Sequence, residues 1–154
     1  MRAGIEQSGF AKIIKDARDS RDYRMLTSGI PYASLIGMQC SPVGDDALFT
    51  LPHQMTNIGN PLLPAIHGGV IGGFMEMSAA LHLMLFMDEP RLPKIIDFSI
   101  DYLRSGQPKD TFAQCEVCRQ GARVANVAVT AWQSNRELPI AIARGHFKLS
   151  KGTV

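Results

Sequence analysis

Apolar residues in "IEQSGFAKIIKDARDSRD" recur at helical spacing, with Ile5, Phe10, Ile13, Ile14 and Ala17 separated by charges. That spacing predicts an amphipathic helix over residues 5–20. "SLIGMQC" and "DALFTLP" read as two strands joined by the turn "SPVGDD". "HQMTNIGNPLLP" is rich in Asn, Gly and Pro and reads as a long loop. Residues 67–87 form a second, far more apolar helix. Beyond Pro90 and Pro93 the period changes. In "IIDFSIDYL", Ile96, Phe98, Ile100 and Tyr102 alternate with Asp97, Ser99 and Asp101, the pattern of a strand with one buried face. "TFAQCEVCRQ", "ARVANVAVTAWQ" and "ELPIAIARGHFKLS" follow as three more strands. The short connections "QG" and "SNR" make them antiparallel neighbours.

Helices segregated from strands predict an α+β domain over residues 1–154, with one antiparallel sheet of about six strands. The central helix covers one face of that sheet. A chain of 154 residues suits one domain and leaves little room for a second. Its 45% hydrophobic and 19% charged residues are ordinary for a globular protein. A net charge of +2, with no Lys/Arg run interleaved with aromatics, argues against nucleic acid as a partner. The first twenty residues carry scattered charges and no apolar core, so neither a signal nor a transit peptide is expected, and the cytoplasm is the expected location. Cys115 and Cys118 make a C-x-x-C spacing, but on a strand residues three apart face opposite ways. With no second pair to complete a zinc set, the cysteines read as reduced, structural thiols. No metal set is expected, and His53, His82 and His146 read as structural.

The central helix carries both glycines and a carboxylate, each of which costs stability in an apolar helix. On a helical wheel Gly69, Gly72, Gly73, Glu76, Ala80, Leu83 and Met87 share one stripe, while Ile71, Phe74, Ser78, His82 and Leu85 lie opposite. Each interior glycine costs about 1 kcal/mol relative to alanine. Three of them beside Glu76 suggest that another backbone or a ligand must approach closely there. The segment is long enough to span a bilayer and contains the spacing Gly68-x-x-x-Gly72. Against a span stand Glu76 and His82 inside it, together with the alternating strands that need an apolar partner. At the helix start, the amides of Gly68, Gly69 and Val70 have no intrahelical partner and form the positive end of the dipole. Free N–H donors plus a carboxylate are the minimum for attack on an acyl carbonyl. Glu76 can equally be a satisfied structural carboxylate, and His67 a helix-start residue that hydrogen-bonds the backbone.

"HGGVIGGFMEMSA" resembles the His-Gly-Gly motif of hotdog-fold acyl-CoA thioesterases, of the phenylacetate-degradation and 4-hydroxybenzoyl-CoA thioesterase type. There an acidic residue follows the motif histidine by nine positions, as Glu76 follows His67. "NPLLPAIHGG" resembles the Asn-containing approach loop, "IIDFSIDYLRS" the strand after the helix, "RQGARVANVAVTAW" the basic-Gly-basic hairpin and "ELPIAIARGHFKL" the last strand.

The resemblance implies a curved sheet wrapped around the helix, in a homodimer or dimer of dimers with active sites at the subunit interface. It implies hydrolysis of an acyl-CoA, or an aryl-CoA, with no cofactor, since coenzyme A belongs to the substrate. The Gly69 region, flanked by Gly68 and Val70, then polarises the carbonyl, and Glu76 is general base or nucleophile. Asn60 and His67 help hold the thioester or the water. Arg104, Arg119 and Arg123 are candidates for the coenzyme A phosphates, and equally for ordinary surface charges.

Two positions depart from the family pattern. Asn60 lies seven residues before His67 rather than six, and Ala80 and Ile95 stand where members often carry Ser or Thr. Ser78, on the opposite helix face, cannot replace that hydroxyl. The departures keep open a non-hydrolytic protein that binds acyl-CoA or acyl-carrier ligands; a hotdog dehydratase or hydratase ranks third. Met75, Met77, Met84 and Met87 fit an acyl pocket or ordinary core filling.

Overall fold

The computed structural model describes residues 2–88 and 91–150, with only the backbone described for 2–8; the side chain of Ile5 and the break expected at Pro90 lie outside the described residues. The amphipathic N-terminal segment forms α1 (Arg2–Ser20), burying Ile14 and Ala17. Two short helices follow, α2 (Arg24–Ser28) and α3 (Pro31–Ile36). The strand expected at "SLIGMQC" is therefore half helix. Pro31 occupies the first turn and Gly37, at φ 76°, ends it in the left-handed region, a start–stop pair that outweighs the apolar run between them.

β1 (Gln39–Val43) and β2 (Asp46–Leu51) then pair as a hairpin around Gly44 and Asp45, so Ser41, Pro42 and Val43 lie in the strand and not in the turn. The expected loop holds one turn of 3-10 helix (Met55–Asn57) and a ribbon of β3 (Ile58–Asn60) and β4 (Ala65–Ile66). The apolar helix is α4 (Gly68–Phe86), followed by β5 (Leu92–Tyr102), β6 (Thr111–Gln120), β7 (Val124–Trp132) and β8 (Ala141–Ser150).

The main sheet has six antiparallel strands in the order β1-β2-β6-β7-β8-β5. One face packs on α4 through alternating positions such as Phe49, Ala113, Val127, Val129 and Phe147, all essentially inaccessible. From α4 come Phe74, Met75, Leu81 and Leu83. Leu83 and Met87 were expected on the Glu76 stripe, but both are buried, because α1 and α3 also pack on this helix. Only Gly69, Gly72, Gly73, Glu76 and Ala80 remain uncovered or partly covered on that side. α4 is long and apolar enough to cross a membrane, yet more than half of it is buried inside the fold.

Both sheet edges matter. β1 carries Pro42, which has no N–H to donate outward. β5 is longer and more apolar. A bulge between Ile95 and Asp97 places Ile96 opposite no residue of β8 and breaks the expected alternation. Phe98 and Ile100 pack on the core, whereas Ile96 and Tyr102 are 58% and 51% exposed.

Cys40 and Cys115 point into the core and Cys118 points out; all three are free. Burial pushes the Cys40 thiol up to about 12, and Cys115 is raised by the same cause. His82 is buried beside Phe86, its Nδ1 3.6 Å from the Asp46 carboxylate. Burial lowers its pKa against the opposing pull of Asp46. The unfolded chain therefore takes up this proton first as pH falls, and stability declines below the unfolded imidazole value of about 6.5. Melting temperature is expected to drop between pH 7 and pH 5, and His82→Leu to flatten that slope. An unchanged slope in the variant assigns the dependence to other groups.

Candidate functional site

The start of α4 is fixed by the backbone around it. His67 N–H donates to the Asn57 carbonyl at 2.9 Å, and Ile66 N–H to the Gly106 carbonyl at 2.8 Å. Asn57 is itself buried, with Nδ2 donating to the Ile36 carbonyl at 2.8 Å. Gly59 of β3 lies so close that a Cβ there would stand 2.9 Å from the His67 Cα. These contacts set the direction in which the helix leaves the ribbon.

His67 then caps the helix. Its Nδ1 accepts the Gly69 N–H at 2.9 Å, and its carbonyl accepts those of Val70 and Ile71. The expectation of three free amides is corrected by this cap. Gly69 and Val70 are satisfied, and among the described residues only the Gly68 N–H of that trio has no acceptor. With Nδ1 accepting, Nε2 is the ring nitrogen left to donate. The histidine thus takes the backbone-bonding role that the sequence left open, with one ring nitrogen to spare.

Gly68 lines a depression of about 340 Å3 with Ile66, Ile71, Tyr102, Leu103, Arg104, Ser105 and Gly106. The Tyr102 hydroxyl donates to the Gly68 carbonyl at 2.6 Å. Its ring lies against Gly68 and its hydroxyl reaches Gly72, and Tyr32 of α3 lies on Gly73, where a Cβ would meet its hydroxyl at 2.7 Å. The close approach expected at the glycines is made by these two tyrosines. Sequence reading had placed Tyr102 only as an alternation position and had not marked Tyr32 or Asn57.

Asn60 differs from expectation. Its Oδ1 accepts the N–H groups of Leu62 and Leu63 at 3.0 and 3.3 Å, which folds the loop at 61–64 into an Asx turn. That oxygen is committed to the loop, and the turn holds Leu62 and Leu63 out into solvent. Glu76 is partly buried on the uncovered stripe, has no hydrogen bond among the described residues and does not line the depression.

The three arginines are not brought together either. Arg104 lines the depression, its Nη1 donating to the Pro139 carbonyl at 2.7 Å. Arg119 and Arg123 belong to the β6–β7 hairpin, beside Lys148 rather than Ala141. Seven residues of β8 separate those ends, about 23 Å at 3.3 Å per residue. Among the described residues no group of three or more His, Cys, Asp or Glu is placed to hold a metal ion.

Residues 63–140, half of the chain, match the thioesterase superfamily. The chain belongs to that superfamily. Its fold is the hotdog fold, with the six-stranded antiparallel sheet packed on α4. A solved Chromobacterium violaceum protein is 42% identical, superposes with a TM-score of 0.75, and the match covers 90% of this chain and 97% of that one. A thioesterase from Haemophilus influenzae shares the fold at 19% identity, with 79% and 83% covered and a TM-score of 0.69. So does a phenylacetic acid degradation-related protein from Ralstonia eutropha, at 18% identity, 83% and 100% covered, TM-score 0.69. No curated protein matches the chain.

In this thioesterase-superfamily member the start of α4 is held by the His67 cap and by the close fit of Gly59. His67→Ala is expected to cost about 0.5–2 kcal/mol, the usual range for a lost helix cap. Gly59→Ala should cost more, since its new Cβ meets the His67 Cα and Cβ, which are fixed by the main chain, as well as the edge of the ring. Urea unfolding of both variants measures this; a neutral Gly59→Ala contradicts the packing described.

Proposed function

We propose that this protein hydrolyses acyl-CoA thioesters at a site shared between two copies of the chain. Superfamily membership supports thioester hydrolysis in general. The observation that carries the finer reading is the Gly68 N–H, without an acceptor among the described residues, on a residue that lines the depression Arg104 borders. A thioester carbonyl placed there receives that N–H, and the helix dipole stabilises the oxyanion that forms. His67, the residue before Gly68, keeps Nε2 free of any hydrogen bond among the described residues and is the nearer candidate to hold the thioester or the water, with Asn60 in the approach loop the second. Glu76 is the base or nucleophile, and the coenzyme A phosphates lie toward Arg104.

Distance requires the second chain. Gly68 and Glu76 are eight residues apart on one helix, about 12 Å at 1.5 Å per residue. Donor and base must both lie near 3 Å from the reacting group. Within one protomer they cannot meet, whereas antiparallel pairing of two β5 edges sets one chain's Glu76 toward the other chain's Gly68. The same pairing brings the Leu92 end of one β5, and with it the hairpin of Arg119 and Arg123, beside the Tyr102 end of the other. The exposed Ile95, Ile96 and Tyr102 supply apolar surface for that contact, as a dimer or a dimer of dimers. Free thiols, with Cys40 and Cys115 in the core, accord with a reducing cytoplasm.

Thiol release from acetyl-, hexanoyl-, palmitoyl- and benzoyl-CoA tests the chemistry. Glu76→Gln is expected to lower turnover about a hundredfold or more, the scale of a positioned acid–base group. Gly68→Pro deletes the N–H at a first-turn position that tolerates proline, with a loss of similar size expected. Mixing the two inactive variants should restore activity, because each mixed dimer holds one intact site. No recovery on mixing contradicts the shared site. Tight acyl-CoA binding with no thiol release supports a non-hydrolytic ligand-binding protein instead.

A further inference from the structure

Two tyrosines occupy the glycine stripe of α4, and they are not equivalent. The Tyr102 hydroxyl is committed to the Gly68 carbonyl at 2.6 Å. Tyr32 lies with its ring edge on the helix backbone at Gly73, its hydroxyl, Cε1 and Cζ within 2.7–3.1 Å of where a Cβ would stand. Its hydroxyl has no hydrogen bond among the described residues, and the side chain is 41% exposed. A phenol resting against the helix at Gly73, with its polar end unused, has spare hydrogen-bonding capacity beside that helix.

That position is one helical turn before Glu76. Residues i and i+3 bring their Cβ atoms to about 5–6 Å, and helix side chains lean toward the N-terminus over the preceding turn. Helix geometry thus directs the Glu76 side chain toward the turn at Gly73, on which Tyr32 rests. Ala80 and Ile95, the other neighbours considered for a hydroxyl, offer none.

We propose that Tyr32 is a positioning residue that holds the attacking water beside Glu76. This rests on the thioesterase reading above. One water O–H donates to the Glu76 carboxylate, which takes that proton, and the other donates to the Tyr32 hydroxyl oxygen. The water oxygen's lone pair is then directed at the carbonyl carbon. The new C–O bond forms, the C–S bond breaks, and the proton passes from Glu76 to the departing coenzyme A thiolate. Tyr32 keeps its own proton throughout. Fixing the nucleophile in this way lowers the barrier by orientation rather than by binding substrate more tightly.

Kinetics on the full-length protein separate this role from a structural one. Tyr32→Phe keeps the ring and removes the oxygen, so kcat is expected to fall about ten- to a hundredfold with KM changed less than twofold. Hydroxylamine, a strong nucleophile that needs less activation than water, should restore most thiol release in that variant. Gly73→Ala gives an independent route, because its Cβ displaces the Tyr32 ring while leaving the residue in place. It should reproduce the kcat loss, and the double variant should be no worse than either single one. Melting temperatures of all variants report folding.

A Tyr32→Phe enzyme within twofold of wild-type kcat, beside an inactive Glu76→Gln, overturns the role of Tyr32 and leaves the thioesterase reading standing. Full activity in Glu76→Gln removes the base beside which Tyr32 acts and overturns the proposal, whereas no thiol release by the unaltered protein from any of the four acyl-CoAs overturns the thioesterase reading itself. Additive losses in the double variant also count against the proposal, since Gly73 and Tyr32 then act separately.

Discussion

An α-helix cannot satisfy its own first amides, and in this protein the surroundings of α4 decide which of them stays unpaired. The backbone of His67 is tied to Asn57, Ile66 to Gly106, and Gly59 fits beneath His67 with no room for a side chain. With the chain so held, the imidazole closes on Gly69 and leaves Gly68 alone. A single donor on rigid main chain is a more selective feature than three loose ones, because its direction is fixed before any ligand arrives. The tyrosine hydrogen bond to the Gly68 carbonyl and the depression beside it depend on the same arrangement.

The glycines of α4 reconcile the helix with its neighbours. Each lowers helix propensity, yet Gly72 and Gly73 give Tyr102 and Tyr32 direct contact with the helix backbone. Glu76 follows on the same stripe, outside the core that claims the rest of the helix. Within one chain it has no hydrogen-bond partner among the described residues, and eight residues of helix separate it from Gly68.

Periodic features were legible in the sequence, and those set by distant neighbours were not. The long helix at 67–87 and the strands at 111–120 and 141–150 stand close to where their patterns place them, because each period persists over many residues. α3 was misread, since its six residues are too few to show a period and its apolar run resembles a strand. The Pro31 and Gly37 signals that bracket it were there to be weighed. The bulge at Ile96 carries no local signature. At the candidate site, the nine-residue spacing from His67 to Glu76 drew attention to α4. It could not tell which amide the histidine would occupy, since that depends on the ring's rotamer. Asn60 attracted attention through spacing, while Asn57, Tyr32 and Tyr102 act through residues 21 to 41 positions away. Contacts at that range leave no trace in local pattern.

Pro42 in β1 gives the sheet an asymmetry with a consequence for how far assembly can go. A sheet that could accept strands along both borders would be able to add copies without limit and grow into a filament. Here one border is blunted by an imino acid, while the other, at β5, is long and apolar. Joining two sheets at β5 uses up the receptive border of each. Edge-to-edge growth through this sheet therefore terminates after one step.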